Sequence, residues 1–466
     1  MNLYLGVLLA YAVVLMAIGL WSGRQVHATS DFFVAGRRLG PGLIFATLLA
    51  ANIGAGTTVN AAGLGYRDGL SAWWWVGSAG IGSLALAWWV GPRLRRLAAE
   101  HDLRTVGDFL EHRYGPQVRA TIAVLLWFGT LALLAGQLMA MGFVLDAVAG
   151  LDRRLGSIIG GVVVTVYFTA GGLLTSVRIN VVQLVVILVG FVVTFPMLLA
   201  SAGGLEPVIV ATSDIDGYWS FWRGGDSGWF YLLAMLGPAF IVSPGILQRV
   251  YAARDDRAVR LGVGLSGLAM LAFAAIPALL GMVARSVAPD LANQNLALPI
   301  LLLGSLPPLV GALGLAAIFS AEVSSADALL FMLSTSFSKD LYARFLNPRA
   351  NDAAILRVAR LAAVAGGAGS VAIAMLSDSI VGALSIFYTL LSVSLFVPVI
   401  VGLYVGRVRT PEALASIGAG VATAASVHVT TSSDVVGLPA ILGLGAALAA
   451  TVTMMAFRGR ETAEVS

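Results

Sequence analysis

The stretch Ala50-Ala51-Asn52-Ile53-Gly54-Ala55-Gly56-Thr57-Thr58 lies in the middle of an apolar segment, Leu43 to Tyr66, that is long enough to cross a membrane. Its two glycines favour a break in the helix. The bilayer core has no water to satisfy the backbone groups that a break releases, so an interrupted helix persists there only where it lines a cavity or binds a ligand. The stretch therefore predicts a membrane protein with a binding site at mid-membrane depth.

A second apolar segment, Ala316 to Tyr342, carries Ala321-Glu322-Val323-Ser324-Ser325-Ala326-Asp327 at a comparable depth. We expect this segment to be interrupted as well. Ser324 and Ser325 offer two adjacent hydroxyls, and a break would add free carbonyls. Neutral oxygens of this kind bind monovalent cations at transporter sites, so the two segments together indicate an ion-coupled transporter.

The composition excludes a soluble globular domain. Hydrophobic residues make up 59% of the 466-residue chain, charged residues 11%, and the mean hydropathy is +0.91. Soluble domains have about 25% charged residues. The 54 glycines suit close helix packing in a membrane bundle. The chain has no cysteine, which excludes disulfides, thiolate metal sites and a cysteine nucleophile.

Apolar segments of membrane-spanning length recur along the whole chain. If the N-terminus is outside, 23 of the 28 lysines and arginines fall in or beside the inner loops, as the positive-inside rule requires. We therefore expect an integral plasma-membrane protein, of a bacterial inner membrane, with its C-terminus in the cytoplasm. The thirteen predicted spans are 3–22, 41–64, 70–92, 118–149, 154–172, 179–200, 228–250, 258–284, 307–338, 353–376, 379–406, 411–430 and 436–457.

The hydropathy pattern also indicates an internal repeat. Regions 41–200 and 228–406 hold five spans each, and an odd number places the second set upside down relative to the first. The first set opens with the break at Gly54-Ala55-Gly56, and the second with Gly237-Pro238 and Pro244-Gly245. Matching interruptions point to the central site of a transporter, although glycine and proline are also common in membrane helices generally. We expect one transporter domain over 1–466, with an additional helix and loop over 1–40 and two C-terminal helices over 411–457.

Several short motifs resemble those of one family when they are taken in order along the chain. The resemblance is to the sodium:solute symporter family, which includes the sodium–glucose, sodium–proline and sodium–pantothenate cotransporters. The motifs are Asp31-Phe32-Phe33-Val34-Ala35-Gly36-Arg37-Arg38, Ala50 to Tyr66, Asp108-Phe109-Leu110-Glu111-His112-Arg113-Tyr114-Gly115, Ala170-Gly171-Gly172-Leu173 with Gln183, Gln248-Arg249-Val250-Tyr251, and Ser338-Lys339-Asp340-Leu341-Tyr342.

The resemblance implies an all-α LeuT-type fold, with a core of five plus five inverted helices, one helix before it and two after. It also implies a sodium site formed by the carbonyls of Ala50, Ile53 and Ala321 and the hydroxyls of Ser324 and Ser325. Sodium would be co-transported and would not be a prosthetic group. Taken alone, the two hydroxyls could equally bond carbonyls four residues earlier in their own helix.

The chain departs from the family pattern at three positions, one where it lacks an acidic side chain and two where it has gained one. Many members have a Thr-Asp pair where this chain has Ile179 and Asn180, whereas Glu322 and Asp327 are carboxylates where relatives are usually neutral. A carboxylate inside a membrane indicates a function by default. We expect Asp327 to replace the missing aspartate in the sodium exit path, and Asn180→Ala to have little effect. Glu322 would tune sodium affinity, take up a proton or bond to a neighbouring helix.

The solute is expected beside the two breaks, where unwound helix ends expose backbone groups. No lysine or arginine is expected at the membrane centre, and few long polar side chains are available for a sugar. These features favour a small organic acid or an amino-acid-like solute. The first interpretation of Trp73-Trp74-Trp75 is that they lie at the membrane–water interface. The alternative is that one of them stacks on the solute. The predicted contacts are Asn52, Gly56, Thr57, Gln137, Phe240, Ser243 and Tyr388.

The sequence thus predicts sodium-coupled symport by alternating access. An alternative on the same fold is a proton-coupled or uncoupled transporter with Glu322 or Asp327 as the protonatable group. A membrane-embedded enzyme would need clustered acid, base or metal-binding residues at one membrane face, and the chain lacks such a pattern. The expected partners are the solute, sodium and the lipid bilayer; neither nucleic acid nor an obligatory protein partner is indicated.

Overall fold

The computed structural model describes residues 3–23, 39–223, 228–377, 379–431 and 437–464, without the side chains of 18–23, 170–178 and 459–464. The predicted motif over 31–38 lies outside these residues, as do the side chains of the motif over 170–173. Throughout the described part the regular elements are helical, and nine of its helices are long and apolar enough to cross a membrane.

The first half of the chain contains nine helices and several shorter turns. They are α1 (Leu3–Gly23), α2 (Pro41–Asn52), α3 (Val59–Asp68), α4 (Trp73–Ala85), α5 (Gly91–Glu100), α6 (Val106–Tyr114), α7 (Pro116–Ala149), α8 (Arg153–Ser201) and α9 (Leu205–Ala211). A π-helical turn, Leu86–Val90, joins α4 to α5.

The second half follows the same pattern of long helices with short connections. They are α10 (Trp229–Val242), α11 (Pro244–Tyr251), α12 (Asp256–Phe273), α13 (Ala275–Val287), α14 (Ala297–Gly304), α15 (Pro308–Thr335), α16 (Asp352–Leu376), α17 (Ile380–Leu391), α18 (Val397–Tyr404), α19 (Thr410–Thr430) and α20 (Leu438–Glu464).

Both core interruptions are present, but the second lies only at Pro244-Gly245: α10 continues through Gly237-Pro238, where a break was also expected, with Pro238 inside the helix. Helix α2 ends at Asn52, Ile53 takes an extended conformation, and α3 begins six residues later, at Val59. Helix α10 ends at Val242, and Ser243 is non-helical with ψ 122°. Pro244 accounts for the second break, because proline disfavours helical conformation in the residue before it and begins a new helix readily.

The expected interruption of the segment from Ala316 to Tyr342 is wrong. Helix α15 continues through the serine pair to Thr335 and then widens into a π-helical stretch, Ser336–Leu346. No glycine or proline lies between 315 and 346 to break it. The serine hydroxyls bond to carbonyls of another helix, so their presence does not require α15 to open.

Helix α8 corresponds to two predicted spans, 154–172 and 179–200. Its first half follows α16: Arg153 donates to the carbonyl of Ala374, and Thr165 lies beside Gly367. The residue numbers run in opposite directions along the two helices. The first half of α8 therefore runs towards the beginning of α16.

The second half of α8 follows α15. Ser324 bonds to Asn180, and Thr194 packs beside Gly314. This half therefore runs towards the beginning of α15. A short linker joins the end of α15 to the beginning of α16, so these two helix ends lie on the same side of the bundle. The first half of α8 therefore runs towards that side, and the second half runs away from it. The two halves cross in opposite directions, as two predicted spans require.

Close approach of backbones holds α3 against α13. A Cβ atom added to Gly281 would lie 2.0 Å from the carbonyl oxygen of Ala62. Because that oxygen belongs to the backbone, no side-chain rotation could remove the clash. Small residues give helices in a membrane this contact, because lipid supplies no hydrophobic force to press them together. The contact fixes α3 and thereby one edge of the first break.

One end of the bundle, which we call the basic face, carries α5, α6 and the π-helical stretch after α15. At its centre the Arg119 guanidinium lies 2.9 Å from Asp108, 2.7 Å from Glu111 and 2.6 Å from Asp340. Arg344 also pairs with Glu111. Although partial burial opposes it, the bonds from Arg344 and Arg119 hold the pKa of Glu111 below its usual value. This network connects two of the motifs that the sequence singled out.

We expect Arg119→Leu to lower the free energy of unfolding by about 3 kcal/mol, because it leaves three carboxylates with one exposed arginine between them. Chemical unfolding in detergent micelles, followed by tryptophan fluorescence, measures the change. The matched control is Arg104→Leu. Arg104 pairs with Asp102 at the surface, where both side chains are about half exposed or more, so its loss should change stability by less than about 0.5 kcal/mol. Equal stability of the two variants would contradict the assigned role.

Candidate functional site

The first break and α15 meet through the hydroxyl of Ser324. Its Oγ lies 3.0 Å from the carbonyl oxygen of Ala50, in the last turn of α2, and 3.0 Å from Oδ1 of Asn180 in α8. Ser324 and Ala50 are fully buried, and Asn180 is 2% exposed. Three helices thus place oxygen atoms at one buried point.

The neighbouring hydroxyl makes a second set of contacts with the same helix end. Ser325 Oγ lies 3.1 Å from the carbonyl of Ala51 and 3.2 Å from that of Ile53. Ile53 is extended, so its carbonyl is turned away from the helix that precedes it. Ala321, one turn before Ser325 in α15, is fully buried.

These contacts contain more oxygen acceptors than protons. Ser325 Oγ has one proton to donate, yet it lies within hydrogen-bond distance of two carbonyl oxygens, those of Ala51 and Ile53. At least one of these short oxygen–oxygen contacts is therefore without a proton of its own. An oxygen cluster of this kind is stabilised when a cation lies among its members.

The backbone N–H groups released by the break are satisfied locally. Gly54 N donates to Thr57 Oγ1 at 2.8 Å, and Ala55 N donates to Gln137 Oε1 at 2.8 Å. A Cβ atom on Gly54 would lie 2.1 Å from Ser325 Oγ. Only glycine allows the break to approach α15 this closely, so the sequence feature that opens the helix also forms the site.

A cavity lies directly beside the break. We call the oxygens of Ala50, Ala51, Ile53, Asn180, Ser324 and Ser325 the oxygen cluster. Ser325 belongs both to this cluster and to the lining of the cavity. All seven residues that the sequence proposed as solute contacts line this cavity: Asn52, Gly56, Thr57, Gln137, Phe240, Ser243 and Tyr388.

Aromatic rings form one wall of the cavity. The Tyr388 ring lies 5.7 Å from that of Phe240 and 6.2 Å from that of Trp75. The interfacial reading of Trp74 and Trp75 is wrong, since they are only 6% and 2% exposed. Trp74 packs instead in a cluster with aromatic residues of the 219–230 region. Trp75 is therefore the tryptophan of the three that adjoins the cavity.

Arg249 also lines the cavity and was not among the expected contacts. It lies two residues before the end of α11, is half-buried, and donates to the carbonyl of Gly245 in its own helix. No cationic side chain was assigned to the cavity from the sequence, and Arg249 supplies one. The sequence signal was the motif from Gln248 to Tyr251, which indicated a helix end but not the direction of its side chains.

The two unusual carboxylates of α15 are both fully buried. Glu322 Oε1 lies 2.8 Å from Thr58 Oγ1 in the first break, and its other oxygen has no hydrogen-bond partner among the described residues. Asp327 lies near enough to Tyr167 and Arg249 to interact with them electrostatically. Asn180, which was expected to matter little, contacts Ser324 directly.

Comparison with known proteins identifies relatives across most of the chain. A sequence model of the Sodium:solute symporter family matches residues 32–420. The sodium/pantothenate symporter of Escherichia coli (strain K12) is 28% identical over 72% of this chain and 71% of its own length. The high-affinity choline transporter 1 of Caenorhabditis elegans is 24% identical over 92% and 78% of the two chains. The sodium/glucose cotransporter of Vibrio parahaemolyticus is 26% identical over 76% and 71%.

Solved structures show the same fold. A Na⁺-coupled sialic acid symporter in a substrate-bound outward-open state superposes with a TM-score of 0.80 at 18% identity, covering 98% of each chain. Mhp1, a nucleobase-cation-symport-1 family transporter, superposes with a TM-score of 0.59 at 15% identity, covering 92% of this chain and 95% of its own. The LeuT-type fold is thereby confirmed.

The family match spans both breaks, the oxygen cluster and the whole lining of the cavity. Sodium is the ion in the name of the family and of several relatives, which does not favour the proton-coupled alternative. The chain belongs to the sodium:solute symporter family.

Proposed function

We propose that this symporter binds a sodium ion between α2 and α15 and carries a small solute in the adjoining cavity. The observation that carries the proposal is the gathering of carbonyl and hydroxyl oxygens around Ser324 and Ser325, with one hydroxyl proton shared between the two carbonyls at Ser325. A sodium ion would add favourable ion–oxygen contacts among these oxygens. The ligands would be the carbonyls of Ala50, Ile53 and Ala321 with the two hydroxyls.

Neutral ligands suit an ion that must be released in every cycle. A cage of carboxylates would hold the cation by charge and slow its exit, whereas carbonyl and hydroxyl oxygens replace only part of its hydration. Asn180 Oδ1 provides a sixth neutral oxygen at 3.0 Å from Ser324. This contact is our reason to propose a larger role for Asn180 than the sequence suggested.

Coupling between ion and solute follows from shared elements. Ser325 belongs to the oxygen cluster and to the cavity wall, and Gly54 contacts both through the break. A solute in the cavity and an ion in the cluster would stabilise the same closed arrangement of α2, α3 and α15. Each ligand would then raise the affinity for the other by the same factor.

Alternating access requires one helix set to move against another. We place the moving boundary between the two five-helix units, 41–200 and 228–406, with the interrupted helices α2–α3 and α10–α11 beside the substrate. The basic face would be cytoplasmic by the positive-inside rule, which puts the N-terminus outside a bacterial inner membrane. Loss of sodium to the cytoplasm would free α2 from α15 and open the inner path.

The cavity composition favours a small organic acid or an amino-acid-like solute. Its polar groups are short, apart from Gln137 and Arg249, and aromatic rings cover one wall. Arg249 would attract a carboxylate towards the cytoplasmic end of the path. Transport, with no covalent chemistry, is the activity that this set of residues supports.

We expect the double substitution Ser324→Ala/Ser325→Ala to raise the sodium concentration for half-maximal uptake by about tenfold or more, because each lost bond to a cation is worth roughly 1.5–3 kcal/mol. The measurement is uptake of a solute panel into proteoliposomes with and without an inward sodium gradient. Ser334→Ala is the matched control: it removes a buried hydroxyl from the same helix, where it bonds to Ala359 of α16. Sodium-stimulated uptake that survives in the double variant would disprove the assignment.

We expect Asp327→Asn to raise the half-saturating sodium concentration and to slow sodium release, because the carboxylate gives the exit path its negative charge. Asn180→Ala removes one neutral contact and should have the smaller effect on sodium affinity. Uptake and sodium-efflux rates of the two variants in the same proteoliposomes provide the comparison. Normal sodium dependence in Asp327→Asn, with loss in Asn180→Ala, would place the pathway along α8 instead.

A further inference from the structure

A groove at the basic face lies well away from the sodium and solute cavity. It has a volume of about 420 Å³ and lies where the ends of α5, α6 and α18 meet. Its lining residues are Arg93, Arg96, Leu97, Glu100, His112, Arg113, Gly402 and Leu403. Three guanidinium groups and a histidine therefore face one carboxylate.

Much of this positive charge is available to a ligand. Arg93 and Arg96 are exposed, and Arg93 makes no ion pair in the part of the chain that the structure describes. Arg96 does form an ion pair with Asp256, but its Nε lies 3.4 Å from that carboxylate, and the Arg96 side chain is 60% exposed. Arg113 is fixed by donation to the carbonyls of Gly402 and Val405. The groove thus combines a rigid cation with two adaptable ones.

Aromatic side chains place the groove at the membrane boundary. Tyr404 stacks on Trp89 with 5.7 Å between ring centroids, donates to the Trp89 carbonyl, and supports the Arg93 guanidinium 4.6 Å above its own ring. Trp88 and Trp89 are 55% and 47% exposed on the outer surface of the bundle. Tryptophan and tyrosine occupy the level of lipid headgroups, with apolar rings towards the acyl chains.

We propose that this groove binds the headgroup phosphate of an anionic phospholipid. Guanidinium groups match phosphate oxygens in charge and geometry, and basic pockets beside membrane helices on the cytoplasmic side hold anionic headgroups. The exposed rings of Trp88 and Trp89 offer the acyl chains a surface beside the phosphate. A lipid satisfies both features, whereas a soluble phosphate would use only the arginines.

The lipid would connect elements that the transport cycle moves. Helix α5 continues from α4, in the first five-helix unit, and α18 ends the second unit, so a phosphate bound by Arg93 and near Gly402 would join the two. The proposal rests on the cytoplasmic orientation of the basic face. Lipid binding is measured without sodium or solute, so failure of the transport assignment would not affect the result.

The test is native mass spectrometry of the delipidated full-length protein, titrated with phosphatidylglycerol or with phosphatidylcholine of the same acyl chains. We expect preferential retention of phosphatidylglycerol, and an apparent Kd for it that rises by about tenfold or more in Arg93→Gln/Arg96→Gln, since each basic group near the surface is worth about a fivefold change. The matched control is Arg357→Gln/Arg360→Gln, which removes two exposed arginines of α16 on the same side of the bundle. Its affinity for phosphatidylglycerol should stay within about threefold of the unmodified chain.

Further arms separate charge, folding and ligand source. Arg93→Lys keeps the charge and should retain most of the binding, which a misfolded protein would not. Glycerol 3-phosphate should fail to displace the lipid at equal concentration. The proposal is overturned if both lipids bind equally, if the groove and control variants lose affinity alike, or if glycerol 3-phosphate competes as well as the lipid does.

Discussion

The whole site depends on one constraint: backbone groups released inside a membrane must find partners within the protein. The break after Asn52 releases carbonyls and N–H groups in a region without water. Gln137 and Thr57 bond the N–H groups, and the hydroxyl of Ser325 faces the carbonyls of Ala51 and Ile53. The helices that carry these side chains are held in place by the need to satisfy the break. The remaining carbonyl and hydroxyl oxygens are the basis on which we propose a cation site in this region.

The same constraint explains why the proposed ion and solute sites are adjacent. The break spans only a few residues, so the oxygen cluster and the cavity that lie against it cannot be far apart. Both contain Ser325, and Gly54 lies between them. The carboxylates of Glu322 and Asp327 lie on the helix that closes the cluster, one in contact with Thr58 and the other near Tyr167. Burial of two carboxylates costs considerable free energy, and attraction of the proposed sodium ion would offset part of that cost.

Sequence reasoning succeeded where local chemistry decides the structure. The break at Gly54 and Gly56 and the break at Pro244 each follow from residues within a few positions of each other. Reasoning failed at α15, where a serine pair with an acidic neighbour indicated an interruption. Serine does not break a helix by itself, and only the position of α2 shows that the hydroxyls bond outward. Arg249 was missed for a related reason, since a motif at a helix end does not specify which of its side chains faces a cavity.

The sequence by itself determined the membrane class, the two core breaks, the family and the identity of the residues around the site. These properties depend on hydropathy, on glycine and proline, and on motifs whose order along the chain is specific. Only the tertiary structure decided which oxygens meet, that Asn180 joins Ser324, that Trp75 packs against the cavity residue Tyr388, and that the Arg93 guanidinium lies over the ring of Tyr404, 311 residues later in the sequence. The physical reason is that helix packing sets these distances, and packing depends on close contacts of small residues spread over the whole chain, which no local pattern encodes.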